Sequence, residues 1–178
     1  KPTPSRGLSS PARLTAAGFL LLILVGTGLL MLPVSAVGHD WTPFLPALFT
    51  ATSAVSLTGL IVEDTGTYWT PVGQVVIILL IQCGGLGIMS LASLSGMVIT
   101  GKISLRARRT GAAEGRPMTG GGIRRTLLFT LLFTLIAEAV VAAVLTARFV
   151  VGYGHSIGRA AWEGVFHAVS AFNNAGFS

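Results

Sequence analysis

Charged residues are scarce in this sequence, and their scarcity excludes an ordinary water-soluble domain. Asp, Glu, Lys and Arg make up 10% of the 178 residues, whereas apolar residues make up 52%. Soluble domains carry about 25% charged residues. The composition therefore predicts a membrane protein.

Residue patterns that would indicate an enzyme are absent too. The sequence has no His-Glu-x-x-His motif, no pair of Asp residues within its apolar segments, and no Ser–His or Ser–Lys pair that the expected topology would bring together. The glycine-rich segment 82–87 lacks the Lys-Ser/Thr pair of a phosphate-binding loop. We therefore expect neither an enzyme nor an organic cofactor. Instead, these glycines are expected to let a helix or a pore loop approach closely.

Basic residues are missing from 33–70, and this gap determines the predicted topology. Three apolar segments, 14–32, 71–100 and 126–151, each supply the ~20 residues that span a bilayer. Ten of the twelve Lys and Arg residues lie before the first segment or between 101 and 125. By the positive-inside rule, the N-terminus and the 101–125 loop are cytoplasmic and 33–70 lies outside. The sequence thus predicts a multi-pass protein of the plasma (inner) membrane, and topology explains the +6 net charge without nucleic acid.

The basic loop has two interpretations, which are compatible with each other. Its side chains contact anionic lipid head groups, or they dock a cytoplasmic partner. The candidate residues for either contact are Arg106, Arg108, Arg109, Arg124 and Arg125.

One short segment occurs twice in the sequence. Residues 49–60 read FTATSAVSLTGL and residues 166–177 read FHAVSAFNNAGF, an offset of 117 residues (49 to 166) without gaps. Five of the twelve positions are identical: Phe49/Phe166, Ala51/Ala168, Ser53/Ser170, Ala54/Ala171 and Gly59/Gly176. The repetition indicates that both copies form the same local structure.

Each copy predicts a short apolar helix that runs into a small, glycine-containing loop. The helices, 42–54 and 158–171, are too short to span, and Thr42 and Pro43 are expected to be the N-cap and the first helical residue of the first one. A half-length helix followed by exposed backbone is tolerated at membrane depth only where it lines a cavity. The carbonyl-rich helix end and loop would stabilise a dehydrated cation there. The alternative is a pair of ordinary loops with interfacial helices, which the repetition in register disfavours.

Three runs in the sequence resemble one known family. TATSAVSLTGL at 50–60, QCGGLGIMSL at 82–91 and SAFNNAGFS at 170–178 are similar to potassium-translocating subunits of the Trk/Ktr/HKT superfamily, closest to the Ktr type. The resemblance implies an all-α membrane protein, in which helix–re-entrant pore loop–helix repeats surround an ion pore pseudo-symmetrically. It implies potassium uptake through a selectivity filter of backbone carbonyls.

The resemblance also assigns residues and partners. Gly59 and Gly176 match the filter glycines of the first and second repeats, and the presence of glycine at 59 favours K⁺ over Na⁺. Na⁺ stays open as a coupling or activating ion, as does the choice between a channel and a symporter. The neighbours that match carbonyl-bearing filter positions are Leu57, Thr58, Leu60, Asn174, Ala175 and Phe177. A homodimer and a cytoplasmic ring of nucleotide-binding RCK domains are the implied partners.

The family contains four repeats in one polypeptide, whereas this sequence holds one and most of a second. We therefore divide it into a cytoplasmic N-terminus (1–13), a first repeat (14–100), the basic cytoplasmic loop (101–125) and a second repeat that ends after its filter (126–178). The sequence is expected to be an N-terminal fragment of a much longer chain. The alternatives are a simple two-span channel subunit with one filter per chain, and a membrane scaffold whose loops only pack.

Several ionisable residues are candidates for secondary roles. Glu138 lies within the third apolar segment, where we favour a structural contact over direct ion binding. His167 is interpreted as making a packing hydrogen bond rather than acting as a pH switch. Acids on the predicted outer side either concentrate cations at a pore mouth or are ordinary loop acids: Asp40, Glu63, Asp64 and Glu163.

Overall fold

A computed structural model describes residues 11–38, 40–88 and 120–178, with side chains described from 15 and from 128 in the first and last of these ranges. Within these ranges the chain is helical and contains no strand. The helices are α1 (Pro11–Met31), α2 (Phe44–Ser56), α3 (Pro71–Ile88), α4 (Gly120–Tyr153) and α5 (Ile157–Phe172). The predicted all-α fold class is confirmed.

Two of these helices are long and apolar enough to cross a membrane. They are α3, over its described residues Pro71–Ile88, and the Leu128–Tyr153 part of α4. In α1 the apolar stretch Thr15–Met31 is shorter than such a span, so the first predicted span remains a prediction. The remainder of the second predicted span, 89–100, lies outside the described residues.

The boundaries of α4 differ from the predicted ones. The helix begins at Gly120 rather than near Thr126, so Arg124 and Arg125 of the predicted basic loop are helical. The other candidate contact residues, Arg106, Arg108 and Arg109, lie outside the described residues.

The described chain divides into two compact units, of which the first contains α1, α2, α3 to Gly85 and the segment Val169–Ser178. In this unit α1 packs against α2. Along α3, a buried stripe recurs every three or four residues, as expected for a helix with one packed face. Its members are Gly73, Ile77, Ile81 and Gly84.

Helices α1 and α3 approach closely because α1 has a glycine, Gly26, at their contact. A Cβ added to Gly26 would lie 2.6 Å from Cδ1 of Leu80. Leu80 is 6% exposed and therefore fills the space that this glycine leaves. Small residues allow helices to pack closely where lipid offers no hydrophobic drive for association.

The segments before and after α2 are tied to each other. Ala36 forms an isolated antiparallel bridge with Trp69. The N–H of Thr70 donates to the Ser35 carbonyl at 3.0 Å, and the Thr70 hydroxyl donates to the Val34 carbonyl at 2.6 Å. These bonds join the segment that precedes α2 to the segment that leads into α3. They therefore fix where the chain enters α3 after the loop that follows α2.

The predicted N-cap of α2 is wrong. Pro43 occupies the N-cap position without a side-chain hydrogen bond, and its carbonyl accepts from the Ala47 N–H at 3.3 Å. Thr42 instead donates its backbone N–H to the Met31 carbonyl at 3.2 Å. This bond ties Thr42 to the end of α1, and its hydroxyl has no hydrogen-bond partner among the described residues.

The second unit extends from Leu86 to Ala168 and contains α4 and the first part of α5. A Cβ on Gly164 of α5 would lie 2.6 Å from Oγ1 of Thr146 and 2.9 Å from the Ala142 carbonyl oxygen of α4, so this glycine also permits close helix packing. On α4, Thr134 and Glu138 are buried one turn apart, at 1% and 6% exposure. The burial of Glu138 agrees with the structural role that the sequence favoured.

We predict that Gly73→Ala destabilises the protein by about 1–3 kcal/mol, the usual result of overpacking. The added Cβ would collide with the Ser35 carbonyl oxygen and lie 3.1 Å from the Trp69 ring. The measurement is thermal unfolding of the complete native subunit in detergent. Gly28→Ala on α1 is the matched control, since a Cβ there meets nothing within 4 Å. Equal melting temperatures for the two variants would contradict this packing.

Candidate functional site

The end of α2 is closed by a Schellman motif. Leu57 adopts a left-handed conformation with φ 56°, and its N–H donates to the Ala54 carbonyl at 3.4 Å. The N–H of Thr58 donates to the Ser53 carbonyl at 3.1 Å. This pair of bonds satisfies carbonyls that a helix end otherwise leaves open. The chain then leaves the helix as the first loop, residues 57–60.

The end of α5 repeats this geometry at the same offset as the sequence repeat. Asn174 is left-handed with φ 55°, and its N–H donates to the Ala171 carbonyl at 3.0 Å. The Ala175 N–H donates to the Ser170 carbonyl at 2.8 Å. The second loop, residues 174–177, therefore starts from the same backbone structure as the first. The two left-handed positions hold different residues, Leu57 and Asn174. A search for residues identical in the two copies would therefore not have identified these positions.

The two loops meet at the glycines that the sequence singled out. Gly59 and Gly176 have φ values of 69° and 76°, in the left-handed region that favours glycine. A Cβ on Gly59 would lie 2.5 Å from the Ala175 carbonyl oxygen and 2.9 Å from Cα of Gly176. A Cβ on Gly176 would lie 3.2 Å from Cα of Gly59. Backbone therefore packs on backbone at this point, and any side chain would separate the loops.

Most of the loop carbonyls accept no hydrogen bond from the part of the chain that the structure describes. Among the described residues, no N–H or hydroxyl donates to the backbone oxygens of 57–60 or of 174–176. The exception is Phe177, whose carbonyl accepts from the Ser170 hydroxyl at 2.6 Å. Backbone carbonyls in folded proteins are nearly always paired where they are buried, so these oxygens are free to accept from water, from a cation or from residues outside the described ranges.

The predicted filter residues differ in exposure. Thr58, Leu60, Asn174 and Gly176 are exposed, Leu57 and Gly59 are half-buried, and Ala175 and Phe177 are buried. The structure thus brings all eight into two neighbouring loops.

The two equivalent serines support their loops differently. The Ser53 hydroxyl accepts from Oγ1 of Thr58 at 3.1 Å, whereas Ser170 donates to the carbonyl of Phe177. Both serines are 3% exposed. Each one joins the last turn of a short helix to the loop that follows it.

The electrostatic setting favours a cation. Helices α2 and α5 both end at these loops, and the C-terminal end of a helix carries partial negative charge. The described residues contain no group of three His, Cys, Asp or Glu side chains that could hold a metal ion. The candidate cation ligands that the loops themselves offer are backbone oxygens.

The predicted outer acids include two with structural partners. Asp64 accepts from the N–H and the hydroxyl of Thr67, both at 2.8 Å, and these hydrogen bonds lower its pKa. Glu163 accepts from Nε of Arg159 at 2.7 Å and lies 2.9 Å from Nδ1 of His155. The Arg159 hydrogen bond, followed by the charge of His155, lowers the Glu163 pKa against the effect of burial. Both carboxylates thus help hold local structure, Asp64 in a loop and Glu163 within α5, which favours a structural role for these two.

His167 makes the hydrogen bond expected of a packing residue. Its Nδ1–H donates to the Glu163 carbonyl in the preceding turn of α5, at 2.7 Å. Its ring also lies edge-on to Phe149 of α4, with the ring centres 5.8 Å apart. These contacts account for a histidine at this position.

Two of the three glycines in 82–87, Gly84 and Gly85, allow the close approach that the sequence predicted. A Cβ on Gly84 would collide with the carbonyl oxygen of Val55, in the last turn of α2. A Cβ on Gly85 would collide with Oδ1 of Asn173, which precedes the second loop. Helix α3 therefore lies directly against the ends of both short helices. Asn173 lies in the run SAFNNAGFS but was not among the predicted site residues.

Apolar helices of membrane-spanning length, without strands in the described ranges, are typical of a helical membrane protein, and the comparison with known proteins gives the family. The family model described as TrkH, cation transport protein, matches residues 10–178. The chain belongs to this family of helical membrane transporters, as the three sequence runs predicted.

Individual relatives are potassium uptake proteins. The chain is 44% identical over 170 residues to the Ktr system potassium uptake protein B of Bacillus subtilis, covering 95% of this chain and 37% of that protein. It is 39% identical over 168 residues to the potassium/sodium uptake protein NtpJ of Enterococcus hirae, covering 94% and 37%. It is 37% identical over 169 residues to the Ktr system potassium uptake protein B of Vibrio alginolyticus, covering 93% and 36%. The chain thus spans little more than a third of the length of these relatives.

We predict that Leu57→Val lowers thermal stability, with a loss of about 1 kcal/mol or more. Left-handed backbone costs an L-residue roughly 1–2 kcal/mol, and a β-branched side chain tolerates it worst. Leu57→Asn, which copies the residue at the equivalent position of the second loop, should be tolerated better. Leu60→Val is the control, because Leu60 is exposed and is not among the positive-φ residues. A Leu57→Val melting temperature equal to that of Leu60→Val would contradict the left-handed assignment.

Proposed function

We propose that this chain supplies two loops of a potassium selectivity filter, within a longer subunit that takes up K⁺ across the plasma membrane. The observation that carries the proposal is the meeting of Gly59 and Gly176 at the ends of two equivalent short helices. Repeated loops of backbone carbonyls around one axis are how potassium filters replace the hydration shell of the ion.

The loop carbonyls provide the ligands in this proposal. The oxygens of Leu57, Thr58, Gly59 and Leu60, and of Asn174, Ala175 and Gly176, accept no hydrogen bond within the described residues. Phe177 is also a candidate, since a carbonyl oxygen has two lone pairs and Ser170 occupies one. The partial negative charge at the ends of α2 and α5 adds to the attraction for a cation.

The contact between the loops limits what two of them can do alone. Backbone atoms of Gly59 and Gly176 are close enough that not even a Cβ fits between them. An ion therefore binds beside this contact, and further loops close the rest of its coordination shell. This requirement agrees with relatives that are nearly three times as long as the matched segment.

The transported ion is K⁺ in this proposal, with Na⁺ open as a coupled or activating ion. The relatives include potassium uptake proteins and one potassium/sodium uptake protein. By the family resemblance, the subunit forms a homodimer with its N-terminus in the cytoplasm and binds a cytoplasmic ring of RCK domains. Basic residues of 101–125 are the proposed contacts for that ring or for anionic lipid.

The competing proposal is a scaffold whose loops only pack. It explains why backbone approaches backbone at Gly59, but it leaves a run of open carbonyls without a purpose. It also predicts that transport is insensitive to a change at Gly59 that leaves the protein folded. A two-span channel subunit is disfavoured because two non-identical loops lie in one chain.

We predict that Gly59→Ser reduces discrimination of K⁺ from Na⁺. The serine Cβ cannot fit against Ala175 and Gly176 at φ 69°, so the two loops must separate. The measurement is rubidium uptake, with sodium as competitor, into liposomes that contain the complete native subunit. The matched control is Gly154→Ser, where φ is 68° and a Cβ meets nothing within 4 Å.

The control separates backbone strain from loop spacing. Gly154→Ser carries the same conformational penalty and should retain the selectivity of the unmodified protein. If Gly59→Ser also retains it, the loops are structural and the proposed filter is rejected.

A further inference from the structure

We propose that three residues of α3, Gln82, Gly84 and Gly85, set the spacing of the two loops and thereby determine how well the filter selects K⁺. We call these residues the α3 seat. The inference rests on the proposed function. It assigns the spacing of the two loops to residues of α3, which supply none of the proposed filter carbonyls.

The first contact of the α3 seat is with the end of α2. Gly84 lies so close to Val55 that an added Cβ would collide with the Val55 carbonyl oxygen and lie 2.9 Å from its carbonyl carbon. Val55 is fully buried and lies two residues before Leu57, where the first loop begins. Backbone atoms cannot move to another rotamer as a side chain can. This contact therefore fixes the position of the first loop along the axis of α3.

The second contact is with the end of α5. Gly85 lies against the side chain of Asn173, which is 5% exposed and directly precedes the left-handed Asn174. Nδ2 of Asn173 donates to Oε1 of Gln82 at 3.1 Å and to the Val169 carbonyl at 3.0 Å. Gln82 and Gly85 are three residues apart on α3, so they share one face and hold Asn173 together.

The arrangement makes α3 a common reference for both loops. Consecutive glycines of α3 contact Val55, which precedes the first loop, and Asn173, which precedes the second, and the two loops also touch at Gly59 and Gly176. A side chain added at either glycine of α3 would therefore displace one loop and change the distance between the two loops. A merely structural glycine would change stability, whereas the α3 seat should change ion selectivity.

The test compares variants of the complete native subunit in liposomes, with rubidium uptake under sodium competition as the readout. Gly85→Ala should lower K⁺/Na⁺ selectivity about tenfold, equivalent to about 1.4 kcal/mol. Asn173→Ala removes the Oδ1 atom with which the new Cβ collides. In the double variant, Gly85→Ala should therefore add little to the effect of Asn173→Ala, which is the signature of direct coupling. Gly28→Ala, where a Cβ meets nothing, is the control and should match the unmodified protein.

A second variant covers the case in which Gly85→Ala is not recovered in the membrane. Gln82→Met removes the acceptor of the Asn173 hydrogen bond with little change in side-chain volume. Lowered selectivity at normal protein abundance supports the proposal, and unchanged selectivity overturns it. Full independence of Gly85→Ala and Asn173→Ala would also overturn it.

The outcomes separate this proposal from the proposed function. If Gly59→Ser lowers selectivity and the α3 variants do not, the filter stands and the α3 seat is rejected. If Gly59→Ser leaves selectivity unchanged, the filter itself is rejected, whatever the α3 variants do.

Discussion

The contact of backbone on backbone at Gly59 and Gly176 is the constraint on which the described structure of this region depends. It requires two short helices to end at one place, and it requires residues without side chains at the contact. Schellman motifs end both helices, and glycines of α3 allow that helix to lie against both ends. The resulting surface presents backbone oxygens, as the proposed potassium filter requires.

The two copies of the repeat are more alike in backbone conformation than in amino-acid sequence. Left-handed residues recur at equivalent positions although one is leucine and the other asparagine. The equivalent serines are both buried, yet one accepts a hydrogen bond from a threonine and the other donates to a carbonyl. The fold therefore conserves where the chain turns and leaves each loop its own side-chain support. That difference is expected of loops that are neighbours in one chain and never have to be identical.

Sequence patterns predicted the helices and the two glycine-containing loops, because the length of an apolar run and a segment that occurs twice can be read directly from the sequence. They were wrong about Thr42, whose backbone N–H is held by the end of α1 so that Pro43 takes the N-cap. They also missed the hydrogen bond between Gln82 and Asn173, which are 91 residues apart. No local pattern reports such a pair. The unusual conformation of Leu57 was missed for a related reason: leucine has no preference for left-handed backbone.

The most direct test of the account is to locate the ion. A crystal structure of the complete native subunit grown in rubidium would show bound ions by their anomalous scattering. If the two loops belong to a filter, a peak lies within coordination distance of carbonyl oxygens from both loops, beside the contact of Gly59 with Gly176. Rubidium bound elsewhere in the membrane region, with these carbonyls facing only protein or water, would contradict it.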